Sequence, residues 1–179
     1  MVDWIAAILI AFWYLIPAYM TNAFPPLAKG KYPLDLGRRM GSSRILGDGK
    51  TFEGTFFGLF GGLTAGFIEL TFYSDFNNFA SSFGVTLPEM TFLLAFLITV
   101  GALTGDIVKS FFKRRMGMER GKEMLFWDQL DFVIGMIVFI YWFADLTWPV
   151  ILVMLLVTPI IHRIACIIGY WLKVKLVPW

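Results

Sequence analysis

Two carboxylates three residues apart, Asp128 and Asp131, stand directly before an apolar run in the segment Trp127-Asp128-Gln129-Leu130-Asp131. At a helix start this spacing puts both on one side. Like charges held so close repel unless a cation lies between them. Oxygen-only ligands suit Mg²⁺, which typically takes one or two carboxylates together with substrate phosphates. A second constellation lies upstream. Asp106, Ser110, Lys113 and Arg114 recur at offsets of four, three and one and so share a helical face. Lys113 and Arg114 would supply charge opposite to phosphates, and Ser110 could donate to a phosphate oxygen. A third stretch, Gly47-Asp48-Gly49-Lys50-Thr51, fits a phosphate-binding turn, with backbone N–H groups facing an anion and Lys50 adding charge. It is not a P-loop, because that pattern needs glycine where this chain has Arg44, and no strand precedes it. Taken together, these residues suit a nucleotide with a metal. The plainer alternative is a set of solvated juxtamembrane loops whose Lys and Arg meet anionic lipid.

The elements that must position these residues are membrane spans. The 179 residues suggest one domain, here a single integral membrane domain over 1–179. The chain is 58% hydrophobic, 18% aromatic and 16% charged. Soluble domains carry roughly 25% charged residues. A soluble fold of this size could not bury so much apolar surface. A net charge of +2 gives no bulk basicity for nucleic acid. A span needs about 20 mostly apolar residues. About five segments qualify: 4–24, 54–74, 90–108, 129–144 and 148–171. The fourth is short. The first lacks the basic lead and small-residue cleavage site of a signal peptide. The fold expected is therefore all-α and polytopic, with about five transmembrane helices and two charged loops.

Charge placement orients it. The first loop holds Lys29, Lys31, Arg38, Arg39, Arg44 and Lys50. The loop after the third span holds Lys109, Lys113, Arg114, Arg115, Arg120 and Lys122, and the tail adds Lys173 and Lys175. The other face has only Asp3, Asp75, Glu89 and Asp145. The positive-inside rule puts both basic loops and the carboxyl terminus in the cytoplasm and the amino terminus outside. An odd number of spans agrees with this.

Within the spans, Gly54, Gly58, Gly62 and Gly66 form a stripe that lets a neighbouring helix approach closely. A groove for a lipid chain is the second reading. Pro17 and Pro159 are expected to bend their helices. The lone Cys166 allows no intramolecular disulfide and reads as a packing residue. Glu69, His162 and Arg163 are the intramembrane ionisable groups. Arg163 either snorkels or faces the bundle; a structural or interfacial role is expected for Glu69, and no role is assigned to His162.

At the charged loops the sequence resembles the archaeal CDP-archaeol synthases, a branch of the CDP-diacylglycerol synthase group. The resemblance lies in Leu15-Ile16-Pro17-Ala18-Tyr19 with Asn22, in Arg44 to Thr51, in Gly105-Asp106 through Ser110 to Lys113-Arg114, and in Leu125 to Asp131. It covers nearly the whole chain, including the five-span layout. The Ser-x-x-Lys-Arg and Asp-x-x-Asp elements are common to the wider group. The chain departs from the bacterial Pro-Gly-His-Gly-Gly signature, having Lys122-Glu123-Met124-Leu125-Phe126-Trp127 there and Gln129 after Asp128.

The resemblance implies an Mg²⁺-dependent cytidylyltransferase of the cell membrane with its active site facing the cytoplasm. CTP and an unsaturated archaetidic acid, an isoprenoid glyceryl phosphate, would give CDP-activated lipid and pyrophosphate. It implies Asp128, Asp131 and Lys113 as catalytic residues. Asp128, Asp131 and Asp106 would hold one or two Mg²⁺ ions. Gly47, Asp48, Gly49, Lys50, Ser110, Lys113 and Arg114 would bind the nucleotide, and Arg38 and Arg44 the lipid phosphate or the leaving pyrophosphate. Partners would be CTP, the lipid and surrounding membrane, with a homo-oligomer left open. The pattern of the CDP-alcohol phosphotransferases is absent. A small transporter or channel is the alternative from another class, and a non-catalytic scaffold is supported by the glycine stripe alone.

Overall fold

The computed structural model describes residues 2–118, 124 and 127–174. Arg120, Lys122, Leu125 and Lys175, which figured in the loop reading, lie outside the described residues. The described residues form six α-helices: α1 (Trp4–Ala23), α2 (Phe52–Thr71), α3 (Tyr73–Ser81), α4 (Phe92–Arg115), α5 (Trp127–Ile140) and α6 (Trp148–Trp171). A 3₁₀ turn, Pro25–Ala28, follows α1, and a small hairpin, β1 (Arg39–Met40) with β2 (Ser43–Arg44), lies before α2.

Local chemistry sets the helix starts. Asp3 accepts hydrogen bonds from the amides of Ile5 and Ala6, Thr51 from Gly54, and Thr91 from Leu94. Each side chain satisfies a donor that has no partner in the first turn. Gly117, at φ +69°, ends α4: its amide donates to Arg114 and that of Met118 to Lys113. This left-handed residue closes the helix. Pro17 and Pro159 lie within α1 and α6.

Among the described residues, three helices are long and apolar enough to cross a bilayer: α1 with its following turn, α4 and α6. The pair α2–α3 adds a fourth if taken as one span, although it is bent by 67°. The expected span 54–74 is therefore a helix ending at Thr71 and a shorter one folded across its end. The expected span 129–144 is a 14-residue helix. At 1.5 Å per residue it is about 21 Å long, short of the roughly 30 Å hydrocarbon core. The molecule is a multi-pass, mostly helical membrane protein.

The core runs along the axis of the bundle. Tyr14, Leu15, Ile98, Phe132, Met136 and Met154 are fully enclosed there. The glycine stripe of α2 packs as the first reading had it. A Cβ on Gly62 would meet Thr21 Oγ1 at 2.0 Å and Thr99 Oγ1 at 2.6 Å, so α2 lies directly against α1 and α4. A second close approach was not read from the sequence. A Cβ on Gly105 would stand 2.1 Å from the carbonyl oxygen of Asp131, and one on Gly135 would stand 2.3 Å from that of Gly101. The backbones of α4 and α5 touch there, one residue from Asp106 and beside Asp131.

Candidate active site

The first charged loop is organised around one buried acid, Asp35. Its carboxylate accepts hydrogen bonds from the amides of Gly37, Leu46 and Gly47 and from Arg44 Nε and Nη2. The Arg44 guanidinium, with these amides, holds the Asp35 carboxyl well below the usual carboxylate range. Arg44 also reaches Asp48 at 2.8 Å. From α4, Arg115 grips the hairpin, donating to the carbonyls of Met40 and Arg44 at 2.6 Å each, with its guanidinium 5.3 Å over the Phe111 ring. The loop is thereby pinned to the charged end of α4.

This pinning lays Leu46, Gly47, Asp48, Gly49 and Lys50 over Lys109, Ser110, Lys113 and Arg114, around a cleft of about 180 Å³. Gly47, at φ +82°, turns the chain beside Arg114. The glycine segment and the basic face of α4, far apart in sequence, do meet. Two expectations change in detail. The Gly47 amide faces an anion, but that anion is Asp35. The Ser110 hydroxyl donates to the backbone carbonyl of Asp106. Arg44 is committed to Asp35 and Asp48, and neither Arg38 nor Arg44 lines the cleft.

Behind the cleft, acids and lysines interleave. Lys50 Nζ donates to Asp106 Oδ2. Lys109 Nζ lies 2.6 Å from Asp131 Oδ2, 3.3 Å from Asp106 Oδ1 and 3.4 Å from Asp128 Oδ1. Lys113 Nζ donates to both oxygens of Asp128 at 3.0 Å. Asp128 and Asp131 also accept from the amides of Met124 and Phe132. The formal charges of Lys50, Lys109 and Lys113 cancel those of Asp106, Asp128 and Asp131. Close carboxylates at a membrane boundary coexist because lysines stand between them.

Lys109 was counted only among the loop charges, yet it is the hub of this cluster. The signal was legible: it follows Asp106 by three residues and precedes Lys113 by four, so it shares their face. Asp35 and Arg115, which build the loop, carried no such mark. Asp35 is held by backbone amides and by an arginine nine residues on, and Arg115 by carbonyls of the hairpin, contacts that helical spacing does not reveal.

Among the described residues, no group of three or more His, Cys, Asp or Glu side chains stands ready as a metal cage. The three aspartates instead converge on one point that a cation, the Lys109 ammonium, already holds. An all-oxygen donor set gathered about a single cation matches a hard divalent ion such as Mg²⁺. Away from the site, His162 stacks 6.2 Å from Phe132, Cys166 is buried beside it, and Arg163 is exposed.

Fold and site define a helical membrane protein that carries a lysine–aspartate cluster beneath a glycine loop. The comparisons narrow the class. The CarS-like family model, CDP-archaeol synthase, matches residues 4–179. The CDP-archaeol synthase of Methanococcoides burtonii is 42% identical over 178 residues, covering 92% of this chain and 100% of that protein. That of Methanocaldococcus jannaschii is 41% identical, covering 93% and 94%. A solved structure, described as an intramembrane enzyme for archaeal membrane lipids biosynthesis, superposes with a TM-score of 0.74 at 33% identity, covering 88% of this chain and 93% of that one. The chain belongs to the CDP-archaeol synthase family.

Proposed function

We propose that the cleft between the Gly47–Lys50 loop and α4 is where this cytidylyltransferase of archaeal lipid biosynthesis joins CTP to a lipid phosphate. The observation that carries the reading is the interleaving of Lys50, Lys109 and Lys113 with Asp106, Asp128 and Asp131 directly behind that cleft. Such a cluster is neutral alone and can exchange partners: lysines turn to phosphate oxygens while the carboxylates accept another cation.

In this reading an oxygen of the lipid phosphate attacks the α-phosphorus of CTP. The bond from that phosphorus to the bridging oxygen breaks, and pyrophosphate leaves with the electron pair. The attacking phosphate is already an anion at neutral pH, so no general base is required. The contribution of the protein is alignment and charge neutralisation. Lys50, Lys113 and Arg114 line the cleft and would hold the triphosphate. Ser110, Gly47, Asp48 and Gly49 shape it. Asp128 and Asp131, with Asp106, would hold Mg²⁺ at the point now held by Lys109. When bound, the ion would offset charge on the phosphates and polarise the reacting phosphoryl group. Lys109, released from the acids, would then join the cations facing the nucleotide. The acceptor we favour is an unsaturated archaetidic acid, its head at the cleft and its chains in the bilayer.

The same reading makes α5 a fifth crossing, lengthened by Tyr141 to Ala144. It puts the cleft on the cytoplasmic side, because the basic residues of both loops gather there. A transporter is not favoured, since these ion pairs gather at one end instead of along a path.

The experiment is transfer of labelled CMP from CTP to a lipid phosphate acceptor by the purified protein with Mg²⁺. Asp128→Asn and Asp131→Asn are expected to abolish transfer while melting remains cooperative. Full activity in both variants would overturn the assignment. Comparing ether-linked with ester-linked acceptors decides the lipid class.

A further inference from the structure

Glu69 takes no part in this chemistry. It lies on α2 seventeen residues beyond Phe52, roughly 26 Å along the helix from the charged cleft. It is 2% exposed, and among the described residues neither carboxyl oxygen has a hydrogen-bond partner. A polar group buried in this way is costly unless something bonds to it. The carboxyl opens into a separate groove of about 200 Å³, formed with Ile16, Met20, Phe24, Ile68 and Phe76. Ile16, Met20, Ile68 and Phe76 are all more than a third exposed, so the groove faces sideways into hydrocarbon. Gly61 lies at its far end against Phe24, eight residues or roughly 12 Å from Glu69.

We propose that this groove is a second lipid site, which seats an alkyl chain along Met20 and Phe24 and hydrogen-bonds the uncharged hydroxyl of a lipid alcohol to Glu69. The chemistry selects the occupant. The lining gives no cation, and its one other polar side chain, Thr64, makes no hydrogen bond to the acid. A hydroxyl both donates and accepts, so it satisfies a carboxyl in either protonation state. An ammonium donates only, and its desolvation in this lining is far costlier. A plain hydrocarbon leaves the carboxyl as it stands. The site is independent of the catalytic reading, because it shares no residue with the cleft.

The test uses the full chain in phosphatidylcholine nanodiscs. The probe is a dialkyl glycerol ether with one free hydroxyl and a photoreactive diazirine in a chain, and crosslinked peptides are mapped by mass spectrometry. Crosslinks are expected on the peptides that carry Ile16, Met20 and Ile68. Capping the probe hydroxyl as its methyl ether should cut them on the order of tenfold, the scale of one lost hydrogen bond to a buried group. Glu69→Leu and the groove-filling Ala65→Phe should do the same. Glu69→Gln, whose amide donates and accepts, should keep most of the yield. Equal yields from alcohol and methyl ether would overturn the proposal, and that comparison needs no variant to fold. So would displacement of the probe by a long-chain ammonium at lower concentration than by the unlabelled alcohol.

Discussion

Lys109 is the side chain on which the charged cluster turns. It neutralises carboxylates from two helices, and its removal leaves Asp106, Asp128 and Asp131 facing one another. Lys109→Met is expected to cost about 3 kcal/mol, the low end for losing one partner of a buried ion pair, because the lysine is partly exposed. Mg²⁺ should then raise the melting temperature more in the variant than in the parent, since the ion would replace the missing charge. A Mg²⁺ response equal in both proteins would show that the acids do not share a cation site. Asp35 works in the opposite manner, by fixing the loop. Its folded pKa is depressed, so its contribution is complete above the ordinary carboxylate value of about 3.9. That contribution fades as pH falls through the depressed folded value. Asp35→Asn should lower stability by roughly 1–3 kcal/mol at neutral pH. The gap between parent and variant melting curves should narrow under strong acid, and a gap constant with pH would contradict the account.

At the scale of elements, the meeting of α4 with α5 governs the site. The cluster forms only because Gly101 and Gly105 let the backbone of α5 press against that of α4. Gly105→Ala puts a methyl group where the Asp131 carbonyl stands. It should cost roughly 1–3 kcal/mol by overpacking and also push Asp131 away from Lys109. CMP transfer should therefore fall further in Gly105→Ala than in Gly62→Ala, which disturbs α2 packing far from the acids, when both are compared at matched loss of melting temperature. Equal activity losses would mean that helix spacing acts only through global stability. The Arg115 grip on the hairpin belongs to the same scale, because it joins the loop before α2 to the end of α4.

For the whole molecule, charge asymmetry decides how it lies in the membrane. Single cysteines placed at Lys31 and at Glu89, in a Cys166→Ala background, should be labelled by an impermeant maleimide from opposite sides of oriented vesicles. The Lys31 position should react from the cytoplasmic side. Labelling of both from one side would refute the topology, and a Lys31 position reached only from outside would leave the cleft without access to cytosolic nucleotide. The bent pair α2–α3 and the short α5 show why span counts from hydropathy are blunt. A hydrophobic window measures composition, whereas a bend at Phe72 or a helix end at Ile140 depends on what packs beside it.

The sequence alone determined the membrane class, the packing use of the glycine stripe, and the two charged loops. These follow from composition, periodicity and short-range spacing, which act within a few turns. Tertiary structure decided the rest. It joined Gly47–Lys50 to α4, gave the amides near Gly47 to Asp35, drew Arg44 away from the cleft and made Lys109 the centre of the acids. Those outcomes depend on which groups come within about 3 Å of each other, and hydrogen bonds and ion pairs weaken steeply beyond that range. Only the close approach of α4 and α5 and the anchored hairpin set those distances.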